Sequence, residues 1–311
     1  KECSELAMHN TSYHKYDIAG FIAIPSEECC VPVDELLMIK QGESLVSIAN
    51  AYNVSEIVVS VQNRRNGFPI KELLDCKLQG VKVTDAATFF ERETCQIRVD
   101  SLQPSWLVFG GGFDQSFMRT FMKRGFDLSI STLILILSLP VMLVTALLIW
   151  IEDRSPIFYS QERVGEDGRP FKVHKFRSMR NDAEKSGTPQ WAAQNDPRVT
   201  RIGGIIRKLR IDELPQLLNV FKGEMSFVGP RPERPYFVEQ LIEVVPYYNV
   251  RHSIKPGITG WAQVRYGYGS SAEDALQKLQ YDLYYVKNNS LFLDLLVLID
   301  TLKVVLFRSG R

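Results

Sequence analysis

Residues 128–151 form an unbroken run of 24 uncharged, mostly apolar side chains, and no other stretch restricts the fold so severely. About 20 such residues suffice to cross the ~30 Å hydrocarbon core of a bilayer as a helix. Two features oppose a plain span. Pro140 sits at the centre, and cations flank both ends, with Arg119, Lys123 and Arg124 before the run and Arg154, Arg163, Arg169 and Lys172 after it. Positive-inside bias places both flanks on the cytoplasmic side. A helix broken at Pro140 leaves two arms of about 12 residues, each ~18 Å long, too short to cross but long enough to enter one leaflet and return. The expected element is a re-entrant hairpin that holds a water-soluble site against the lipid surface.

The remainder of the 311 residues, 45% hydrophobic overall, is enough for two domains. With 37 Lys and Arg against 36 Asp and Glu, the net charge of +1 argues against a generic nucleic-acid binder. Cys3, Cys29, Cys30, Cys76 and Cys95 are odd in number and lack any CxxC or Cys/His spacing, which reads as reduced thiols in a cytosolic environment. A chain that opens on Lys1 with no signal peptide is expected to continue upstream.

Ahead of Gly110-Gly111-Gly112, the pattern alternates: strand over residues 16–24, helix over 42–52, strand over 56–61, helix over 70–78, strand over 81–84. Such alternation implies a mainly parallel α/β sheet over residues 1–109. The segment from Gly42 to Ser55 resembles the opening of a LysM carbohydrate-binding module, but the β-branched run Ile57-Val58-Val59 stands where that module continues helically. No G-x-G-x-x-G follows a strand in residues 1–109, so the domain reads as a scaffold or regulator without a nucleotide loop. The glycine triplet, with little preference for helix or strand, marks the boundary to a second domain at 110–311.

In that second domain, residues 171–179 alternate as a strand that projects Lys175 and Arg177 to one face, while His174 points away. Asp212 and Glu213 precede Leu214 and Pro215, which places Asp212 near the N-cap of a helix. An Asp-Glu pair there is commonly only a cap. Its company suggests more: Arg207, Lys208 and Arg210 lie just upstream, and Gly229-Pro230-Arg231-Pro232 forms a rigid turn presenting Arg231. Fixed guanidinium forks around two carboxylates suit a diphosphate, and adjacent carboxylates that cannot share a proton can divide labour, one attacking phosphorus while the other holds a metal.

Several motifs occur in order: Lys123-Arg124-x-x-Asp127, the run around Pro140, Gln161-x-Arg163-x-Gly165-x-x-Gly168, Lys175-Phe176-Arg177-Ser178-Met179, Asp212-Glu213-Leu214-Pro215-Gln216, Gly229-Pro230-Arg231-Pro232, Lys255-Pro256-Gly257-Ile258-Thr259-Gly260-Trp261-Ala262-Gln263-Val264, and Tyr281-Asp282-Leu283-Tyr284-Tyr285-Val286. From Lys123 onward the chain thereby resembles the bacterial sugar transferases, monotopic polyprenyl-phosphate sugar-1-phosphate transferases that begin exopolysaccharide and glycoconjugate assembly. The resemblance implies a mainly α transferase domain with a re-entrant membrane helix, preceded, as in long-form members, by a truncated Rossmann-like α/β domain. It implies Asp212 as nucleophile, Glu213 as catalytic and metal support with Mg²⁺, and Arg207 and Arg231 as phosphate or nucleotide contacts. Lys175, Arg177 and Gln263 fall in substrate-binding motifs, and Asp282 is a further acidic position, for metal or structural support. The implied partners are a UDP-sugar, undecaprenyl phosphate and membrane lipid at the cytoplasmic face of the bacterial inner membrane, with a homodimer as the candidate assembly. A UDP-releasing glycosyltransferase and a non-catalytic membrane scaffold are the rivals, but residues 110–311 hold no Asp-x-Asp metal motif of the former. The final helix, 291–307, is apolar but carries Asp294, Asp300 and Lys303, as expected of an interfacial helix.

Overall fold

The computed structural model describes residues 17–23, 37, 43–60, 68–99, 111–113, 115–154, 156–180, 196–267, 269 and 271–307. The chain divides into two compact units, Lys1–Thr94 and Cys95–Arg311.

In the first unit, α1 (Leu45–Ala51) starts at Ser44, whose hydroxyl and the Ser47 side chain cap each other's main chain reciprocally. β1 (Glu56–Val59) and β2 (Lys82–Asp85) pair in parallel, joined by the crossover helix α2 (Ile70–Leu78), and α3 (Ala86–Thr94) follows. Leu45, Leu73 and Cys76 form its core with Ile57, Val59, Phe68 and Val83. The strand expected over 16–24 is not formed by its described residues 17–23, which contribute only an isolated bridge at Phe21, whose carbonyl accepts from Leu37 N. The described part of this unit is therefore a small parallel βαβ layer.

The domain boundary lies earlier than the glycine triplet. Ile97 and Val99 are buried with Val164, Val238, Leu241 and Leu283, and Ile97 N donates to Gln280 O. Burial of this apolar pair ties the segment after Thr94 to the second unit, a long-range pairing that local composition does not signal.

Among the described residues, the helices of the second unit begin with α4 (Phe117–Asp153), a 37-residue helix that extends beyond the apolar run at both ends. It continues through Pro140 rather than ending there, because a proline removes one main-chain bond and the ladder resumes on either side. The broken-helix expectation is corrected on this point. On one side of Pro140, Ile130, Ile134 and Leu135 pack into a cluster with Leu217, Phe227, Tyr285, Leu293 and Val297. On the other side, Met142, Ala146 and Ile149 pack with Phe176, Ile206 and Ile211. Between these anchors Ile136, Leu137, Leu139 and Val141 are exposed, as are Leu143 and Val144 just beyond Met142.

Next come the antiparallel hairpin β3 (Phe158–Val164) and β4 (Pro170–Phe176), α5 (Arg201–Lys208), a 3-10 segment Ile211–Gln216 that runs into α6 (Leu217–Lys222), and β5 (Ser226–Val228). α7 (Pro235–Val244), β6 (Gly257–Thr259), α8 (Trp261–Arg265), α9 (Ala272–Asn288) and α10 (Leu291–Phe307) complete it, with β6 parallel to β5. Gly229 and Gly257 meet main chain to main chain, and a Cβ on either would overlap the other strand. This close approach is what the Gly-Pro-Arg-Pro and Lys-Pro-Gly motifs provide structurally.

Candidate active site

Asp212 and Glu213 are placed by a reversal of the chain after α5. Arg210 occupies the left-handed region (φ 57°, ψ 18°), an uncommon conformation for a side-chain-bearing residue, and its carbonyl accepts from Glu213 N. The two acids thus lie inside a 3-10 turn two and three residues past its cap, rather than at the N-cap of an α-helix. At three residues per turn their side chains diverge by about 120°. Both are buried.

Their surroundings differ sharply. Glu213 Oε1 accepts from Arg231 Nη2 at 2.7 Å and from Lys175 Nζ at 3.3 Å, and Oε2 from Arg210 Nη1 at 3.4 Å. Burial alone would raise the Glu213 pKa, but Arg231, Lys175 and Arg210 outweigh it and hold the carboxyl well below the ordinary range. Among the described residues, no side chain hydrogen-bonds or ion-pairs with Asp212. Burial, then the neighbouring Glu213 charge, push its pKa up to about 6, moderated by the fields of Lys175, Arg231 and Arg207. Lys175, at the end of β4, is itself shifted down by burial, against the pull of Glu213. Four cations around two carboxylates leave the cluster net positive, as a diphosphate site requires.

The turn carrying Arg231 is fixed from behind through its carbonyls. Lys123 Nζ donates to Val228 O (3.2 Å), Arg251 Nη2 to Arg231 O (2.9 Å) and Arg163 Nη1 to Pro232 O (3.2 Å). Each cation is paired in turn: Lys123 with Asp294 (2.8 Å) and Asp127 (3.3 Å), Arg163 with Glu233 (3.3 Å), Arg251 with Asp282 (2.8 Å). Tyr285 Oη also donates to Val228 O.

Lys175, Arg207 and Arg231 therefore gather around the acidic pair. Arg177 follows β4, buried, with its N–H on Ile157 O. Gln263 Nε2 donates to Ile258 O, its buried Oε1 finds no partner among the described residues, and it lines a cavity shared with Glu213. Asp282, expected as a metal or structural group, is buried, and its Oδ2 takes two hydrogen bonds from the buried Arg251 guanidinium. Among the described residues no three His, Cys, Asp or Glu side chains converge as metal ligands. Sequence reading missed Arg210 as a partner of Glu213, although its position beside the pair was a signal. It also missed Arg251, for which the sequence offers none.

Comparison with known proteins adds an independent line. The sequence profile of the bacterial sugar transferases matches residues 118–308. The chain is 43% identical over 238 residues to the UDP-N-acetylgalactosamine-undecaprenyl-phosphate N-acetylgalactosaminephosphotransferase of Aeromonas hydrophila, covering 76% of this chain and 55% of that protein. It is 40% identical over 267 residues to the UDP-glucose:undecaprenyl-phosphate glucose-1-phosphate transferase of Escherichia coli (strain K12), covering 83% of this chain and 56% of the other. The chain thus spans about half the length of these two relatives. The exopolysaccharide production protein PSS of Rhizobium leguminosarum bv. phaseoli is 41% identical over 198 residues, 62% of this chain but 98% of that protein.

Proposed function

Because the chain belongs to the bacterial sugar transferase family, we propose that it transfers a sugar 1-phosphate from a UDP-sugar to undecaprenyl phosphate and releases UMP. The relatives' names supply the substrate classes. The observation that carries the reading is the unequal treatment of the two acids: Glu213 is clamped by three cations, while Asp212 is left open beside them.

Asp212 attacks the phosphorus that bears the sugar. An Oδ–P bond forms as the bond to the bridging oxygen breaks, and its electron pair leaves with UMP. An oxygen of the polyprenyl phosphate then attacks the same phosphorus, the acyl-phosphate P–O bond breaks, and the Asp212 carboxylate is regenerated. Lys175, Arg207 and Arg231 offset the charge on the non-bridging oxygens in both steps. A pKa near 6 leaves Asp212 mostly ionised at neutral pH, yet more basic than an ordinary carboxylate. Mg²⁺ fits as an ion shared between protein and substrate, since it binds through one or two carboxylates plus phosphates. Glu213, whose Oε2 meets Arg210 only at 3.4 Å, would hold it, and the ion would supply neutralisation of the diphosphate.

The same reading places the protein on the cytoplasmic face of the bacterial inner membrane, with the exposed apolar middle of α4 lying against one leaflet and both its ends on the cytoplasmic side. Both flanks of α4 are bonded to the same unit: Arg124 to Phe221 O at one end, and Glu152 accepting from Arg201 N and Ile202 N at the other. α10 adds an exposed apolar stripe of Phe292, Leu295, Ile299 and Leu302, suited to lie in the interface. The βαβ layer before it is read as part of a Rossmann-like scaffold.

The test is nucleotide release. Nanodisc-embedded protein with Mg²⁺, undecaprenyl phosphate and UDP-glucose or UDP-N-acetylgalactosamine should liberate UMP, and the Asp212→Asn variant should lose at least 10³-fold in rate, the scale of a missing nucleophile. UDP as the product, or UMP unaffected by the substitution, overturns the proposal.

A further inference from the structure

Arg231 carries the guanidinium that meets Glu213 at 2.7 Å, and its own main chain is held at the carbonyl, where Arg251 Nη2 donates at 2.9 Å. Lys123 and Arg163 hold the two ends of the same turn, at Val228 O and Pro232 O. Arg251 lies in the 3-10 segment Tyr248–Ser253 and is buried. Its Nε and Nη2 both donate to Asp282 Oδ2, at 3.1 and 2.8 Å, and its Nη1 donates to Tyr248 Oη at 2.7 Å. Asp282 is itself buried on α9, between Leu279 and Leu283, which pack in one cluster with Tyr248, Val238 and Leu241.

A guanidinium is a planar fork. Two bonds to one carboxylate oxygen and a third to a tyrosine therefore leave the remaining Nη2–H one direction, toward the carbonyl of Arg231. Pro232 restricts the same residue further, since the backbone before a proline is biased to extended conformations. A buried ion pair is often no more stabilising than well-packed apolar side chains in its place, so the Arg251–Asp282 pair is better explained by the direction it fixes. An arginine tip stands roughly 6 Å from its Cα. A turn of about 10° at Arg231 would thus carry the guanidinium ~1 Å, a misplacement that can cost on the order of 10²-fold in rate. We infer that Arg251 is a positioning residue for the transfer: locked by Asp282 and Tyr248, it holds the main chain of Arg231 so that the Arg231 guanidinium meets both Glu213 and the phosphate under attack. The inference rests on the transfer reaction proposed above, with Arg231 as a phosphate contact, and adds the group that aims it.

The role is tested by a double-mutant cycle on full-length protein in nanodiscs, read as the single-turnover rate of UMP release at saturating UDP-sugar. Arg251→Lys keeps a cation opposite Asp282 but has no fork, and should slow release at least about tenfold when Arg231 is intact. In an Arg231→Lys background, where no fork is left to aim, the same substitution should cost less than about twofold. The acidic limb of the rate, near pH 6 in the wild type, should also move to higher pH in Arg251→Lys, because the field of Arg231 lowers the Asp212 pKa. Similar losses in both backgrounds, an unchanged rate in Arg251→Lys, or a limb that stays in place overturns the positioning role. If Arg251→Lys does not fold, Tyr248→Phe, which removes only the oxygen that accepts from Nη1, takes its place in the cycle, with a loss of at least about threefold expected when Arg231 is intact. If the wild type releases UMP normally, a failed cycle leaves the transfer reaction standing. If the wild type releases none, the reaction falls and the positioning role with it.

Discussion

Adjacent acids in one turn are expected to respond oppositely to loss of charge. Asp212 has a folded-state pKa of about 6 against 3.8 for the free group, so its favourable contribution is complete below about pH 4 and is lost as pH rises through about 6. At pH 7.5 Asp212→Asn should therefore stabilise the protein, by up to ~3 kcal/mol at 1.36 kcal/mol per pKa unit, with the gain vanishing below pH 4. Glu213 is shifted the other way, so its contribution is present above about 4.5 and is lost only as pH falls well below that. Glu213→Gln should destabilise at pH 7.5 by on the order of 3 kcal/mol, because Arg231, Lys175 and Arg210 lose their buried counter-charge. Thermal unfolding of both variants in detergent at pH 4 and 7.5 checks the signs, and equal signs at pH 7.5 would refute the division of roles. The same ionisation should make single-turnover release of UMP fall about tenfold per pH unit below pH 6.

At the scale of elements, α4 decides topology. Cysteines at Phe117 and Arg154, introduced singly, should both react with a membrane-impermeant maleimide from the cytoplasmic side of inverted vesicles. Labelling from opposite faces would make the helix a span and sink the re-entrant reading. Much at this scale was legible in the sequence. α2 and α10 have the bounds that apolar periodicity gave, and β1, β2 and β4 lie within a residue or two of expectation or begin where expected. What periodicity could not give was the outcome of competing local preferences. Pro140 discourages a helix locally, yet packing on both of its sides keeps α4 continuous. The segment at Ile97 and Val99 carries no local sign that it belongs with α9. Within the site, Asp212, Glu213, Lys175 and Arg231 were readable because charge of both signs clusters along short motifs. The Arg251–Asp282 pair was not, since it depends on a fold that brings residues 31 apart together.

At the scale of the molecule, every residue of the candidate site lies in the unit Cys95–Arg311. A match of 198 residues, 62% of this chain, covers 98% of the length of the exopolysaccharide production protein PSS. Deletion of residues 1–94 should accordingly leave kcat/KM for UMP release within about threefold in nanodiscs, a change small enough to leave the transition state untouched, whereas a loss above a hundredfold would assign that unit a part in the chemistry. The part-buried Lys123–Asp294 pair also sets a timetable. Its members lie 171 residues apart, and at a synthesis rate of about 5–20 residues per second Lys123 emerges roughly 10–35 s before its partner. For that interval the membrane helix has been made while the carbonyl of Val228 cannot yet receive its full anchorage. The anchor of α4 is thus supplied by a helix made long after it, so a chain halted before Asp294 would carry every catalytic side chain and still lack the carboxylate that holds Lys123 beside the Val228 carbonyl.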